Sequence, residues 1–168
     1  GSRMPEVINT IDLAPTMLSL AGLKPGAQFH GRAFAGTFRT PPPAFTFLMR
    51  DRMDERYDLS RAVTDGRYRY IRNYAPAQPW GQHLEYLWRQ ASMQEWAALH
   101  RAGRLTRTQD AFFQPKPVEE LFDCATDPDN VHNLADDPSC LPQLTAFRQA
   151  LRAHQLAVRD TGFLPEPL

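Results

Sequence analysis

Between Thr10 and Ala21 apolar residues recur with helical spacing: Ile11, Leu13, Ala14, Met17, Leu18 and Ala21 form one stripe. Thr10 or Asp12 can cap this helix, Pro15 is tolerable only near its first turn, and Gly22 is a good stop. Lys24-Pro25-Gly26 then forces a turn. After Pro41-Pro42-Pro43 the pattern changes. Ala44-Phe45-Thr46-Phe47-Leu48-Met49 predicts a buried strand. Tyr57 to Thr64 and Arg67 to Asn73 are two more strand-like runs, and the Asp65-Gly66 between them predicts a two-residue hairpin turn. On the second run, Tyr68, Tyr70 and Arg72 point one way, and Arg67, Arg69, Ile71 and Asn73 the other. Leu84 to Arg101 returns to helical spacing, with Leu84, Leu87, Trp88, Ala91, Trp96 and Leu99 available for burial and Gly103 as a stop. Val118 to Phe122 predicts a short strand. Leu141, Leu144, Phe147, Leu151 and Val158 mark a long amphipathic helix ending near Asp160-Thr161-Gly162, capped by Asp137 or Ser139. The order of elements predicts an α+β fold: a small antiparallel β-sheet packed against helices, including a long C-terminal helix.

Composition changes this picture little. A chain of 168 residues can bury one sizeable core, or one core plus an appendage. Net charge is zero, so no global field recruits nucleic acid or an anionic membrane, and no run approaches the ~18 apolar residues of a membrane span. Neither is expected as a partner. Lys24 and Lys116 are the two lysines beside many arginines. Arginine suits bidentate pairing with carboxylates, sulfates and phosphates, although genomic base composition produces the same bias. The fifteen prolines cluster as joints between elements and as a loose end at Pro165 to Pro167. Gly1-Ser2-Arg3 reads as a cloning remnant, and any signal peptide would belong to sequence upstream. Cys124 and Cys140 are too few for a disulfide framework; they read as two half-buried thiols, with a single bridge as the alternative.

The densest polar constellation runs from Arg50 to Asp58, directly after an apolar strand and so at a sheet edge. Its alternating signs can pair internally. The sharper reading makes it the rim of a substrate cleft, where Arg50 and Arg52 grip an anion and Asp54 and Glu55 take sugar hydroxyls. Asp127, Asp129, Asp136 and Asp137 could offer oxygens to a hard cation, but their spacing suits Asp-Pro turns and helix capping better. His30, His83, His100, His132 and His154 have no metal-ligand spacing. None of the serines sits in a nucleophile-elbow context. Tyr68, Tyr70, Tyr74, Trp80, Tyr86, Trp88 and Trp96 could build a sugar-stacking platform, although aromatics at such spacing more often fill a core.

One stretch carries more. Glu119-Glu120-Leu121-Phe122-Asp123, then Thr126-Asp127-Pro128-Asp129, then Asn133-Leu134-Ala135 resembles the C-terminal region of sulfatases of the alkaline phosphatase superfamily. Ile11-Asp12-Leu13-Ala14-Pro15-Thr16, His30-Gly31-Arg32-Ala33-Phe34 and Ala62 to Asn73 resemble further segments of that family in the same order, and the insertion Trp80 to Gln114 is similar to its sulfamidase-like and glycan sulfatase branch. The resemblance implies that residues 4–36 end a catalytic domain and 37–168 form the C-terminal subdomain. It implies hydrolysis of sulfate esters or sulfamates, of carbohydrates above all, by an intact enzyme that holds calcium or a similar divalent cation; this chain is expected to hold no cofactor. Nucleophile and metal ligands would lie upstream, in a parent that is periplasmic or secreted. The family's Cys/Ser-x-Pro-Ser/Ala-Arg nucleophile motif is echoed only by Cys140-Leu141-Pro142, which continues Gln143-Leu144 and lacks both the small residue and the arginine. The chain alone is therefore expected to be inert. Its implied partner is the missing N-terminal catalytic domain, and without it self-association through the Thr10 to Ala21 helix is expected. Two rivals stand beside this reading: the tail of a phosphonate monoester hydrolase or phosphodiesterase of the same superfamily, and a free-standing, non-catalytic binding module.

Overall fold

Four strands in sequence order make one antiparallel sheet: β1 (Thr46–Arg50), β2 (Ser60–Thr64), β3 (Tyr68–Asn73) and β4 (Glu119–Asp123). The structure, a computed structural model, describes residues 6–52 and 54–164. The expected remnant at 1–3, the proline-rich end at Pro165 to Pro167 and Met53 lie outside the described residues. The chain divides into two units, Gly1–Thr46 with Thr64–Gly66, and Phe47–Val63 with Arg67–Leu168.

In the first unit a 3-10 turn (Thr10–Asp12) leads into α1 (Leu13–Leu20). The cap is Asn9, one residue before Thr10 and three before Asp12: its side chain and that of Asp12 satisfy each other's backbone N–H groups. Pro15 falls in the first turn, and Gly22 ends the helix at φ 74°. Burial follows the polar side of α1. Asp12, Pro15, Thr16 and Ser19 are buried, while Ile11, Leu13, Met17 and Leu20 are 51–70% exposed. The reason is backbone hydrogen bonding. Arg32 N–H donates to Asp12 Oδ1 (2.9 Å), Phe34 N–H to Thr16 Oγ1 (3.1 Å) and Phe38 N–H to Ser19 Oγ (2.8 Å). A segment with no strand partner thus finds its acceptors on the helix. Gly31 permits the approach, because a Cβ there would stand 2.1 Å from the Ile11 carbonyl oxygen.

The β2–β3 hairpin turns at Asp65-Gly66 with Gly66 at φ 98°. Arg67 also stays outside the strands, and Thr64 Oγ1 accepts from Gly66 N–H at 3.0 Å. β1 is an edge strand, and Leu48 and Met49 are exposed, which corrects the expected buried run. β3 pairs with β4 with Tyr70 opposite Leu121 and Arg72 opposite Glu119. The long helix α5 (Leu141–Ala157) buries Leu144, Phe147 and Leu151, and Phe147 meets Tyr68 edge-on. Val63, Tyr70 and Leu121 are the centre of this core.

β4 is the other edge, and the Asn133-Leu134 segment covers it. Leu121 N–H donates to Asn133 Oδ1 (2.9 Å), Asn133 Nδ2 to the Glu119 carbonyl (3.0 Å) and Leu134 N–H to the Leu121 carbonyl (2.7 Å). Asp127 accepts from the backbone of Val131 and His132, and Asp137 caps the 3-10 turn Pro138–Cys140 that opens α5. Between β3 and β4 the expected single helix is broken. It forms α2 (Glu85–Trp88) and α3 (Ala91–Arg101), because Gln90 is extended and Gln94 Nε2 donates to the Trp88 carbonyl where α2 stops. A further short helix, α4 (Arg107–Asp110), starts at a Thr106–Gln109 capping box. No described helix is long and apolar enough to cross a membrane.

Candidate functional site

The polar loop that follows β1 was singled out by its charges, and hydrogen bonds tie it at several points to the insertion after β3. Arg56 Nε donates to the His83 carbonyl (2.6 Å), Gln82 Nε2 to the Tyr57 carbonyl (3.1 Å) and Glu85 N–H to Glu55 Oε1 (2.8 Å). Glu55 therefore supplies an acceptor to the first turn of α2, and that backbone hydrogen bond holds its carboxyl below the usual range. Arg50 turns inward: its guanidinium lies 5.4 Å from the Trp80 ring, with Nε 3.2 Å from Asp58 Oδ2. Arg52 and Asp54 are exposed, Asp54 in the left-handed region at φ 48°. Of the four predicted rim residues, then, Arg50 and Glu55 are spent on holding the loop, and Arg52 and Asp54 reach solvent.

The loop closes on a buried charge cluster that the sequence reading missed. Lys116 Nζ hydrogen-bonds Asp58 Oδ1, and both side chains are fully withdrawn from water. The ammonium also lies 4.7 Å from the Trp80 ring, so Trp80 contacts two cations. Lys116 is placed by its N–H bond to the Pro76 carbonyl (2.8 Å) beside the Pro79–Pro115 bridge. Beyond it, Asn73 Nδ2 donates to Glu120 Oε1 (2.6 Å), and burial pushes the Glu120 carboxyl up. Asp58 Oδ2 and Asn73 Oδ1 are buried without a hydrogen-bond partner among the described residues. The one available signal was compositional: Lys116 is one of two lysines in an arginine-rich chain, flanked by prolines.

A second anchor fixes the start of the loop. Arg61 donates from Nε and Nη2 to Asp160 (2.7 and 2.8 Å) and from Nη1 to Asp51 (2.7 Å). The Arg61 fork pulls the Asp160 carboxyl down to about 2 and is itself pushed above its usual value by the same bonds.

Among the described residues no three His, Cys, Asp or Glu side chains converge as metal ligands. Asp127 and Asp137 are spent on backbone N–H groups, so the acidic pairs do not fit a calcium site. Cys124 and Cys140 are free thiols, and Cys140 opens α5. Of the aromatics, Tyr70 is buried, Trp96 packs among Phe112 and Phe113, and Tyr74 and Tyr86 are exposed.

No protein-family model matches the chain. Over 163 residues it is 39% identical to an ulvan-active sulfatase of Formosa agariphila, a match that covers 96% of this chain and 27% of that protein. A protein assigned as a sulfatase from Bacteroides thetaiotaomicron VPI-5482 superposes over 92% of the chain with a TM-score of 0.60 at 21% identity. A 2-O GAG sulfatase superposes at 0.59 and 21%, and a protein solved with its substrate D-glucosamine-2-N,6-O-disulfate at 0.56 and 13%. The chain spans about a quarter of the length of each solved structure. Fold and sequence together define the class: the chain matches the C-terminal part of a sulfatase and has the fold of the corresponding region in solved sulfatases, an α+β unit with a four-stranded antiparallel sheet and a long C-terminal helix.

Proposed function

We propose that the chain is the C-terminal part of a metal-dependent sulfatase that hydrolyses sulfate esters or sulfamates of carbohydrates. The supporting observation is the 39% identity to an ulvan-active sulfatase across nearly the whole chain. In this reading residues 4–36 complete the catalytic domain and 37–168 form the subdomain beside it. Nucleophile and metal ligands belong to the remainder of the protein, because neither Cys140 nor any carboxylate set described here has the surroundings the chemistry needs. The role of this chain is positional. The Lys116–Asp58–Trp80 cluster and the Arg61 fork hold the Arg50–Asp58 loop at two points, and the loop presents Arg52 and Asp54 to the substrate.

Two assays test this. The isolated chain with calcium should leave a chromogenic aryl sulfate and an aryl phosphate intact; turnover that scales with protein and survives repurification would overturn the assignment of the chemistry to the rest of the enzyme. In the intact enzyme, Arg52→Ala should lower glycan turnover about tenfold, equivalent to about 1.4 kcal/mol, and leave a small aryl sulfate nearly untouched. Equal loss on both substrates, or loss on neither, would remove the loop from the substrate site.

A further inference from the structure

A cavity of about 350 Å³ opens between β3, the first residue of β4 and the second half of α5, on elements other than the Arg50–Asp58 loop. Three arginines, Arg72, Arg148 and Arg152, line it with one carboxylate, Glu119. Glu119 accepts from Arg148 Nε (2.8 Å) and Nη2, lies 3.4 Å from Arg72 Nη1 and accepts the Tyr70 hydroxyl. One carboxylate therefore orients two guanidinium groups, and Arg148 first of all draws its pKa down to about 2, so it stays ionised at neutral pH. The Arg152 side chain makes no hydrogen bond or ion pair with a described residue. The nearby carboxylate Asp160 is occupied by the Arg61 fork. Three cations against one anion give the lining a net charge of +2, with Arg72 and Arg148 sharing Glu119 and Arg152 facing the opening.

The wall of the cavity is aromatic and polar as well as cationic. Tyr74 is 36% exposed, and its ring is held edge-on against Phe163 at 4.7 Å. Gln155 Nε2 donates to the Tyr74 hydroxyl at 3.1 Å, and the Arg72 guanidinium lies 5.7 Å from the same ring. A fixed ring offers the apolar face of a sugar a surface, and a guanidinium fork matches the geometry of a sulfate or carboxylate.

We propose that this groove binds an anionic oligosaccharide through its sulfate or carboxylate groups, with Arg152 and Arg72 as the anion grip and Tyr74 as the sugar platform. The affinity would be salt-dependent, because the groove is open and its charges are partly screened. The proposal does not depend on the Arg50–Asp58 loop, and its failure would leave the sulfatase reading intact.

The test is a calorimetric titration of the 168-residue chain with a heparin-derived hexasaccharide, at low ionic strength and again at about 0.15 M salt. Maltohexaose serves as the uncharged control. The sulfated probe should bind, weaken with salt and lose about tenfold in affinity in Arg152→Glu and several-fold in Arg152→Gln and Tyr74→Ala. Arg101→Glu, the same charge change on α3, should leave binding unchanged. No binding by the wild-type chain, maltohexaose binding as tightly as the sulfated probe, or equal losses in Arg101→Glu and Arg152→Glu would each overturn the proposal. Retained binding in both Arg152 variants would do the same.

Discussion

Asp58 and Lys116 show how much one residue can carry in this unit. Each is withdrawn from water, so leaving either charge without a partner is costly. Asp58→Asn removes the carboxylate in contact with the buried ammonium, and the expected cost is about 3 kcal/mol, read as a lowered urea midpoint with an unchanged slope. Lys116→Met should cost less, since Arg50 stays 3.2 Å from Asp58. Equal losses would show that Arg50 shares nothing of the load. Acid stability is also set by single residues. Glu119 and Asp160 are held at about 2, below their ordinary 4.5 and 3.8, by Arg148 and Arg61. The unfolded chain therefore takes up these protons first. Their contribution is intact above about pH 4.5 and is lost as pH falls toward about 2. Glu120 works against this, because burial raises its pKa and folding then favours its protonated form. Thermal melts from pH 7 to 2 should decline through the lower window, and Glu119→Gln should flatten that decline. An unchanged decline in Glu119→Gln would remove this carboxylate from the acid transition.

At the scale of elements, the hairpin and the broken helix make opposite cases. Asp65-Gly66 announced its turn because φ 98° is a conformation that glycine alone adopts without strain. Gly66→Val should destabilise by about 1 kcal/mol or more, and a Cβ there would also press on Val7 Cγ2 at 3.1 Å. A melting curve equal to wild type would contradict the strained backbone. Arg89 and Gln90, by contrast, contain neither glycine nor proline, and the apolar pattern runs through them without interruption. The chain breaks there because Gln94 caps α2 from within α3 while Leu84, Met93 and Ala97 find separate burial. That choice is made by packing, which outweighs the few tenths of a kcal/mol that distinguish ordinary residues in helix propensity.

At the scale of the whole molecule, the apolar side of α1 is left in water. Ile11, Leu13, Met17 and Leu20 are exposed together, while the polar side is hydrogen-bonded to the following segment. Buried apolar surface is worth ~25 cal/mol per Å², so a patch of a few hundred Å² favours association. The isolated chain is expected to self-associate, with light scattering rising across a concentration series and falling back in Met17→Glu. A chain that stays monomeric at high concentration would show that this face needs no cover.

The sequence by itself determined the class of elements, their order and most of their ends. Periodicity, Asp-Gly, Gly22, Gly103 and the Asp137 cap act through local backbone physics that no distant contact has to supply. It also revealed the relationship to sulfatases, through motifs whose structural work is now visible: Asn133-Leu134 seals the β4 edge, and Asp127 closes the turn before it. Which side of each element is buried was decided only in three dimensions. The run in β1 looked like core, and its Leu48 and Met49 are exposed, because position at the sheet edge, not apolarity, chose the face that packs. The same holds for charge. Arg50, read as one of the rim residues, pairs with Asp58, and Lys116 joins the same Asp58 across 58 residues of chain. Such pairs form only where folding removes both partners from water, and no spacing along the chain encodes that.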